Sequence, residues 1–178
     1  SNIDFVSGVN PPIGDSSTFS FLDPAVMKAV FAGEAPYQYL YSRHLHPSGV
    51  MLAEALAKME GTEAAVVTAS GMAAITCAIL QLAKAGDEIV MSRMVYGGTY
   101  ALAKNILPRF GLTVKFVDMR DLNAVAAAIT ERTTVIFTEA VSNPLLEVCD
   151  LRELSRMSLA AGAALIVDNT FTPLVLRP

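Results

Sequence analysis

Apolar and polar positions follow two different rhythms along most of this chain, and the two rhythms predict its secondary structure. Short β-branched runs predict strands, and longer segments with apolar residues at helical spacing predict helices. The predicted strands cover residues 64–68, 88–92, 113–118, 134–139 and 163–169. The predicted helices cover residues 24–32, 48–60, 72–84, 98–110, 122–130 and 151–161. Because the strands are apolar on both faces and alternate with helices, the pattern predicts an α/β fold with a mainly parallel sheet.

The first 47 residues do not share this alternation. They are rich in Gly, Pro, Ser and Tyr, and they contain one short predicted helix. A segment with so little core of its own is expected to lie over another surface. We therefore expect an irregular arm over residues 1–47 and an α/β domain over residues 48–178.

Composition and charge exclude several classes of protein. The chain of 178 residues is 53% hydrophobic and 17% charged, which is typical of a well-buried globular protein. Its net charge of −4 comes without a lysine or arginine stripe, which argues against nucleic-acid binding. No apolar run has membrane-spanning length and no signal peptide begins the chain, so a cytoplasmic protein without a membrane partner is expected. Cys77 and Cys149 lack metal-ligand spacing and are expected to be free, mostly buried thiols.

The turn at Ser70 and Gly71 is the first candidate for chemistry. It joins the predicted strand at 64–68 to the helix that begins near Met72, and Ser70 is placed to cap that helix. The free N–H groups of a helix start bind anions, and a glycine lets the backbone approach a phosphate closely. An ordinary strand–helix turn has the same sequence, so the motif needs support from elsewhere.

That support comes from polar residues at the ends of the other predicted strands. They are Tyr96, Asp118, Glu139 with Asn143, and Asp168 with Thr170. Ligands bind at the carboxyl ends of open parallel sheets, so several polar residues at successive strand ends indicate a site there. Asp168 is the sharpest of them, because a carboxylate that leaves a buried strand needs a cation or hydrogen bonds. A pyridinium nitrogen is one such cation, and a capping role in a turn is the alternative.

Five short motifs then occur in an order that resembles a known family. They are Tyr41-Ser-Arg43, Ser70-Gly-Met-Ala-Ala-Ile, Tyr96-Gly-Gly-Thr, Ser142-Asn-Pro-Leu-Leu and Val167-Asp-Asn-Thr-Phe. The chain resembles the pyridoxal-phosphate enzymes of cysteine and methionine metabolism over essentially its whole length. The resemblance implies the large cofactor-binding domain of the aminotransferase-like fold (fold type I), with pyridoxal 5'-phosphate as cofactor and no metal.

The resemblance also implies roles for residues near the predicted sheet. Gly71 and Met72 would donate backbone N–H groups to the cofactor phosphate next to Ser70. Tyr96 would stack on the pyridine ring and could transfer a proton, and Asp168 would pair with the ring nitrogen.

The remaining roles concern the ring, the substrate and the arm. Thr170 would pack against the other face of the ring, and Asn143 would orient the ring oxygen and the substrate carboxylate. Tyr41 and Arg43 would reach into a neighbouring subunit and bind its phosphate, which implies a homodimer or homotetramer with shared sites. Glu139 is interpreted as a structural acid rather than a catalytic one. Without the family pattern, Tyr41 and Arg43 would be interpreted as ordinary surface residues.

Two departures from the family pattern stand out. His46 occupies the place before Pro47 where relatives usually carry Asn, which puts the local hydrogen bonding of the arm in question. A metal site at His44 and His46 lacks a further evident ligand. The family's lysine that bonds the cofactor aldehyde follows the Val-Asp-Asn-Thr-Phe segment by a short distance, and none of the five lysines here has that context. The chain is therefore expected to be the amino-terminal part of an enzyme and inactive alone.

The resemblance implies γ-elimination or γ-replacement on sulfur amino acids or O-acylhomoserine. Methionine γ-lyases commonly carry a cysteine where this chain has Gly98, so lyase or synthase chemistry on cystathionine, or sulfhydrylation of acylhomoserine, is favoured over methionine cleavage. Three alternatives stay open: a methionine γ-lyase, another enzyme of the same fold such as an aminotransferase, and a non-catalytic phosphate-binding module.

Overall fold

A computed structural model describes residues 12–21, 23–35 and 38–173 of the chain. Two compact units divide the chain, one within residues 1–67 and one within residues 68–178. The predicted arm at 1–47 is therefore described only in part, because residues 1–11, 22, 36 and 37 lie outside the described residues. No helix within the described ranges is long and apolar enough to cross a membrane.

The described residues of the first unit form two helices, α1 (Pro24–Phe31) and α2 (Pro47–Glu60). Each begins with a proline in its first turn, where the missing N–H group would have no helical partner. The His46 side chain caps α2: its Nδ1 accepts a hydrogen bond from the N–H of Ser48 at 3.2 Å. This is the bond that an Asn side chain makes at a helix start, so the substitution keeps the capping interaction.

The strand predicted at 64–68 is wrong. These residues have no regular secondary structure and pair with no strand among the described residues. Their β-branched, apolar side chains favour an extended backbone, but a strand also needs a partner that supplies hydrogen bonds. Val66 is 86% exposed, so this apolar segment is also largely uncovered.

The second unit is built on four parallel strands in the order β2-β1-β3-β4. The strands are β1 (Glu88–Ser92), β2 (Thr113–Val117), β3 (Thr133–Glu139) and β4 (Ala164–Asp168). The helices are α3 (Gly71–Leu82), α4 (Gly97–Ala101), α5 (Leu122–Ala128) and α6 (Leu151–Ala160). The predicted α/β architecture with a parallel sheet is therefore confirmed, and these strands and helices α3, α5 and α6 agree with the predicted ones to within about two residues.

Both faces of the central strands β1 and β3 are buried, as strands without polar alternation require, whereas β2 and β4 at the edges are mostly half-buried. Ile89, Met91 and Phe137 belong to one apolar cluster, which also contains Ile79 of α3. Their strand neighbours Val90 and Ile136 belong to a second cluster, with Val125 of α5 and Leu154 of α6. Successive side chains of a strand point to opposite faces, so the two clusters are the two helix–sheet layers.

The predicted helix at 98–110 is only partly correct. The α-helix α4 continues as a wider π-helical turn at Leu102–Ile106 and then as a 3₁₀ turn at Leu107–Phe110. Pro108 lacks an N–H group and its ring crowds the preceding turn, so a regular α-helix cannot run through this position. Gly111, with a φ of 76°, ends the segment in the left-handed region.

Cys77 and Cys149 both lie in the second unit. Both cysteines are free, but Cys77 is exposed and Cys149 only partly buried, so the expectation of mostly buried thiols is wrong for Cys77. The apolar spacing around Cys77 predicted a helix correctly, but helical spacing alone does not say what covers each face.

At the amino end of β1, the buried Glu88 carboxylate pairs with Lys115 at 2.5 Å and with Arg132. These contacts, with Lys115 first, lower the pKa of Glu88.

Candidate functional site

A cavity of about 370 Å³ lies at the carboxyl ends of β3 and β4, next to the start of α3. The chain passes from β1 to β2 on one side of the sheet and then returns to β3 on the other, so β1 and β3 flank the switch point where open sheets bind ligands. The cavity volume is within the usual range for small-molecule sites, about 300–1,000 Å³. It is lined by Ser70, Gly71, Met72, Ile75, Tyr96, Glu139, Val141, Asn143, Asp168, Thr170 and Phe171.

The start of α3 forms one wall of this cavity. Ser70 caps the helix, because its Oγ accepts a hydrogen bond from the N–H of Ala73 at 3.1 Å. Among the described residues, no acceptor binds the N–H groups of Gly71 and Met72. A Cβ built on Gly71 would meet no atom within 4 Å, so the space beside this backbone is open. The wall therefore presents two free donors and the positive end of the helix dipole to a ligand.

Asp168 is the last residue of β4 and also lines the cavity. Its Oδ1 accepts two hydrogen bonds from Thr170, one from the backbone N–H at 3.0 Å and one from Oγ1 at 2.5 Å. Both contacts involve the same oxygen, so Thr170 fixes the orientation of the carboxylate. The Oδ2 atom has no hydrogen bond among the described residues, and it is available to a cationic or N–H group.

Glu139 also lines the cavity and is only 6% exposed. Its Oε1 accepts a hydrogen bond from the backbone N–H of Tyr96 at 2.6 Å, and its Oε2 accepts one from the backbone N–H of Asn143 at 3.1 Å. Burial raises the pKa of Glu139, the two N–H bonds oppose this effect, and the neighbouring Asp168 charge adds to it. Glu139 and Asp168 are partners in the register of β3 and β4, so two acids stand side by side here.

The ring of Tyr96 is half exposed, and Gly98 is closely packed against it. A Cβ at position 98 would lie 2.5 Å from Cε1 of Tyr96 and 3.2 Å from Sδ of Met72. Real Cβ atoms do not approach other atoms at the shorter of these distances, so any other residue would displace the Tyr96 ring. Gly98 therefore permits the observed ring orientation.

Asp118, the remaining strand-end acid, does not line this cavity. Its carboxylate pairs with Arg93 and with Arg120, each at 2.8 Å, and the Arg120 contacts lower the pKa of Asp118 well below its usual range. Arg120 also pairs with Glu147 at 2.8 Å. The prediction that Asp118 joins the site is therefore wrong, because local cations neutralise it.

Tyr41 and Arg43 lie in the first unit. The guanidinium of Arg43 donates a hydrogen bond from Nη2 to the Tyr41 hydroxyl at 3.2 Å, and its centre lies 5.2 Å from the centroid of the tyrosine ring. Tyr41 is 38% exposed. The two side chains thus form a preassembled pair with guanidinium donors left for an anion.

The cavity also contains residues that sequence reasoning did not single out. Ile75, Val141 and Phe171 supply apolar walls. Ile75 lies one helical turn after Gly71, a spacing that could have placed it on the same face. The double hydrogen bond of Glu139 has no local signal, since Tyr96 lies 43 residues away. No lysine occurs among the lining residues of the described chain.

Comparison with known proteins adds the following matches. The family model described as Cys/Met metabolism PLP-dependent enzyme matches residues 2–178. A methionine gamma-lyase of Arabidopsis thaliana is 46% identical over 176 residues, which is 96% of this chain and 40% of that protein. An O-succinylhomoserine sulfhydrylase of Pseudomonas aeruginosa is 40% identical over 92% of this chain and 40% of its own length.

Solved structures of related enzymes also match most of this chain. An O-acetylhomoserine (thiol)-lyase of Campylobacter jejuni, described with N'-pyridoxyl-lysine-5'-monophosphate, has a TM-score of 0.91 at 30% identity and covers 99% of this chain. A cystathionine gamma-lyase of Lactobacillus plantarum complexed with L-serine has a TM-score of 0.81 at 36% identity and covers 92% of this chain. The chain spans 43% and 40% of those two structures, so it is shorter than half of each.

Proposed function

Because the chain belongs to the family of Cys/Met metabolism PLP-dependent enzymes, we propose that its cavity binds pyridoxal 5'-phosphate. The family resemblance and the fold-type I architecture predicted from the sequence are confirmed by the matches to the family model and to the solved structures. One observation carries the proposal: groups of opposite polarity line the same cavity. They are the free N–H donors at the start of α3 and the carboxylate of Asp168.

The helix start is the phosphate end. The N–H groups of Gly71 and Met72 would donate to phosphate oxygens, and the absence of a Cβ at Gly71 leaves room for them. Ser70 already uses its Oγ to cap the helix, so its main part is to hold these donors in position. The anion and the helix dipole stabilise each other by about 0.3–1 kcal/mol at exposed sites.

The strand end is the ring end. Asp168, oriented by Thr170, would pair with the ring nitrogen through a charge-assisted hydrogen bond. Tyr96 has a half-exposed ring that would stack on the cofactor, and its phenol would transfer a proton. Thr170 would contact the other face of the ring, and Asn143, which lines the cavity, would bind the ring oxygen and the substrate carboxylate.

When bound, the cofactor supplies an electron sink for negative charge on an amino-acid carbon. Asp168 holds the ring nitrogen protonated, which strengthens that sink. Tyr96 and Asn143 orient the substrate between the two walls, and the apolar side chains of Val141 and Phe171 exclude water from one side of the cavity. We assign the whole protein to γ-elimination or γ-replacement on a sulfur amino acid or O-acylhomoserine.

The arm contributes to a neighbouring copy in this proposal. Residues 1–47 would reach another subunit, where Arg43 and Tyr41 would bind that subunit's phosphate. The pairing of their side chains supports this role, because it presents a planar guanidinium with donors on one edge. The proposal implies a homodimer or a homotetramer of the whole protein, with residues 48–178 as its cofactor-binding part, in the cytoplasm.

Methionine γ-lyase activity is the second candidate, since relatives of that name include the 46% identical protein of Arabidopsis thaliana. Gly98 favours the cystathionine and acylhomoserine reactions instead. A side chain at this position, such as the cysteine that many methionine γ-lyases carry, would require the Tyr96 ring to move.

The test uses the whole protein, purified and titrated with pyridoxal phosphate, and then assayed on methionine, cystathionine and O-acylhomoserines. We expect one cofactor per subunit and release of the γ-substituent. Cofactor binding with amino-group transfer alone would indicate an aminotransferase, and binding without turnover would indicate a non-catalytic module. A kcat/KM for methionine that exceeds the others tenfold, about 1.4 kcal/mol of transition-state preference, would favour the methionine γ-lyase instead.

A further inference from the structure

We propose that Glu139 is a positioning residue that ties the loop after β1 to the loop after β3, and thereby sets the separation of Tyr96 and Asn143. The inference rests on the proposed cofactor-binding function, because its consequence is where the ring and the substrate lie. It starts from two contacts: one carboxylate accepts backbone hydrogen bonds from Tyr96 at 2.6 Å and from Asn143 at 3.1 Å.

The position of Glu139 in the sheet explains how its side chain joins the two loops. Backbone pairing between β1 and β3 ends at Met91 and Phe137, before either site loop begins. Two residues later, the Glu139 side chain joins the two loops. On its other side, the Glu139 backbone is still in register with Asp168 of β4. Glu139 is therefore connected to three residues of the cavity at once.

The chemistry of the carboxylate suits this role better than any other side chain of similar size. Two N–H donors approach from two loops, and a carboxylate presents two acceptor oxygens to them. A glutamine presents one acceptor and one donor, so its amide would oppose one of the two N–H groups. Burial disfavours a charged group, and the two N–H bonds offset part of that cost for Glu139.

Burial alone does not distinguish a positioning residue from a buried acid that only stabilises the fold. The chain contains a buried acid of the second kind, which serves for comparison. Glu88 lies on β1 at the opposite end of the sheet, 1% exposed, and pairs with Lys115 and Thr130. Replacement of Glu88 removes a buried carboxylate without touching either site loop. Glu88→Gln is therefore the matched control for loss of stability alone.

The experiment compares Glu139→Gln and Glu88→Gln in the whole protein. We measure the dissociation constant of pyridoxal phosphate, the circular dichroism of the bound cofactor, and kcat and KM separately. In Glu139→Gln we expect cofactor affinity to fall about tenfold, as for loss of one hydrogen bond to a charged group, and the cofactor dichroism to change. Glu88→Gln should lower Tm and leave both cofactor readouts unchanged.

The proposal is overturned if Glu139→Gln lowers Tm but keeps the wild-type cofactor affinity and dichroism. If that variant does not fold, hydrogen exchange in the wild-type protein decides: the Tyr96 and Asn143 amides must be protected, and rapid exchange of both overturns the tie. Failure of the wild-type protein to bind pyridoxal phosphate would refute the proposed function, whereas normal wild-type binding with an unaffected Glu139→Gln refutes only the role of Glu139.

Discussion

Replacement of Asp168 by asparagine in the whole protein tests the ring end of the cavity most directly. The amide keeps the shape of the side chain and an oxygen that can accept the two Thr170 hydrogen bonds. The change removes the negative charge and puts an N–H donor group in the place of Oδ2, the acceptor proposed to pair with the ring nitrogen. The experiment therefore tests the proposed charge-assisted hydrogen bond as a whole.

The expected magnitude follows from the charge. A carboxylate within hydrogen-bond distance raises the pKa of a cationic partner by roughly 1–3 units, and each unit corresponds to about 1.36 kcal/mol. Loss of that stabilisation raises the reaction barrier by about 1.4–4 kcal/mol, so turnover should fall roughly 10- to 1,000-fold. The cofactor should remain bound, because the donors at Gly71 and Met72 are untouched.

The assay measures kcat on the best substrate and cofactor content in parallel. Asp118→Asn is the matched control, since Asp118 is also a strand-end aspartate but pairs with Arg93 and Arg120 and does not line the cavity. It should turn over at the wild-type rate. A turnover of Asp168→Asn within about threefold of wild type, less than 1 kcal/mol, would refute the assigned role of Asp168.

Four further predictions concern the capping serine, the packed glycine, the paired aspartate and the lysines. Ser70→Ala removes the acceptor for the Ala73 N–H and should lower the free energy of unfolding by about 1 kcal/mol in denaturant titrations; no change would contradict the capping role. Gly98→Ala should turn the Tyr96 ring, visible in a crystal structure of the variant, because a Cβ would lie 2.5 Å from that ring. Ion pairs lower the pKa of Asp118, so its contribution to stability is present above the ordinary aspartate pKa of about 3.9 and is lost as pH falls further. The Tm difference between wild type and Asp118→Asn should therefore shrink on acidification below about pH 4, and a constant difference would contradict this. The 178-residue chain alone should give no stoichiometric borohydride-fixed adduct on any single lysine, since none lines the described cavity, and peptide mapping checks this.

The fold could be predicted from the sequence where local pattern decides the outcome. Strands such as β1 are apolar on both faces and are bounded by polar turns, so composition alone locates them. The segment at 64–68 is likewise apolar and partly β-branched, but it pairs with none of the described strands. Pro108 was a sequence signal that the helix predicted at 98–110 would be interrupted. The prediction followed the apolar spacing of the segment instead.

The candidate site was also predictable only in part. Tyr96 and Asp168 each follow a recognisable change from strand to turn, so their convergence at one cavity was predictable from parallel topology. Ser70 was found from its capping position at a helix start, although the strand predicted before it is absent from the described residues. Contacts between distant segments were not predictable. The hydrogen bond that the Tyr96 N–H donates to Glu139 joins residues 43 apart, and it depends on a side-chain direction that no periodicity records.

The two neighbouring acids connect cofactor binding to loop position. In the protein without ligand, the Asp168 charge adds to burial in raising the pKa of Glu139. Under the proposed role of Asp168, a cationic ring nitrogen paired with it would offset that charge and lower the pKa of Glu139 on binding. An ionised Glu139 would accept the N–H bonds of Tyr96 and Asn143 more strongly than a protonated carboxyl. Binding of the ring would then strengthen the proposed tie between the two loops, and by the same linkage protonation of Glu139 would lower affinity for the ring.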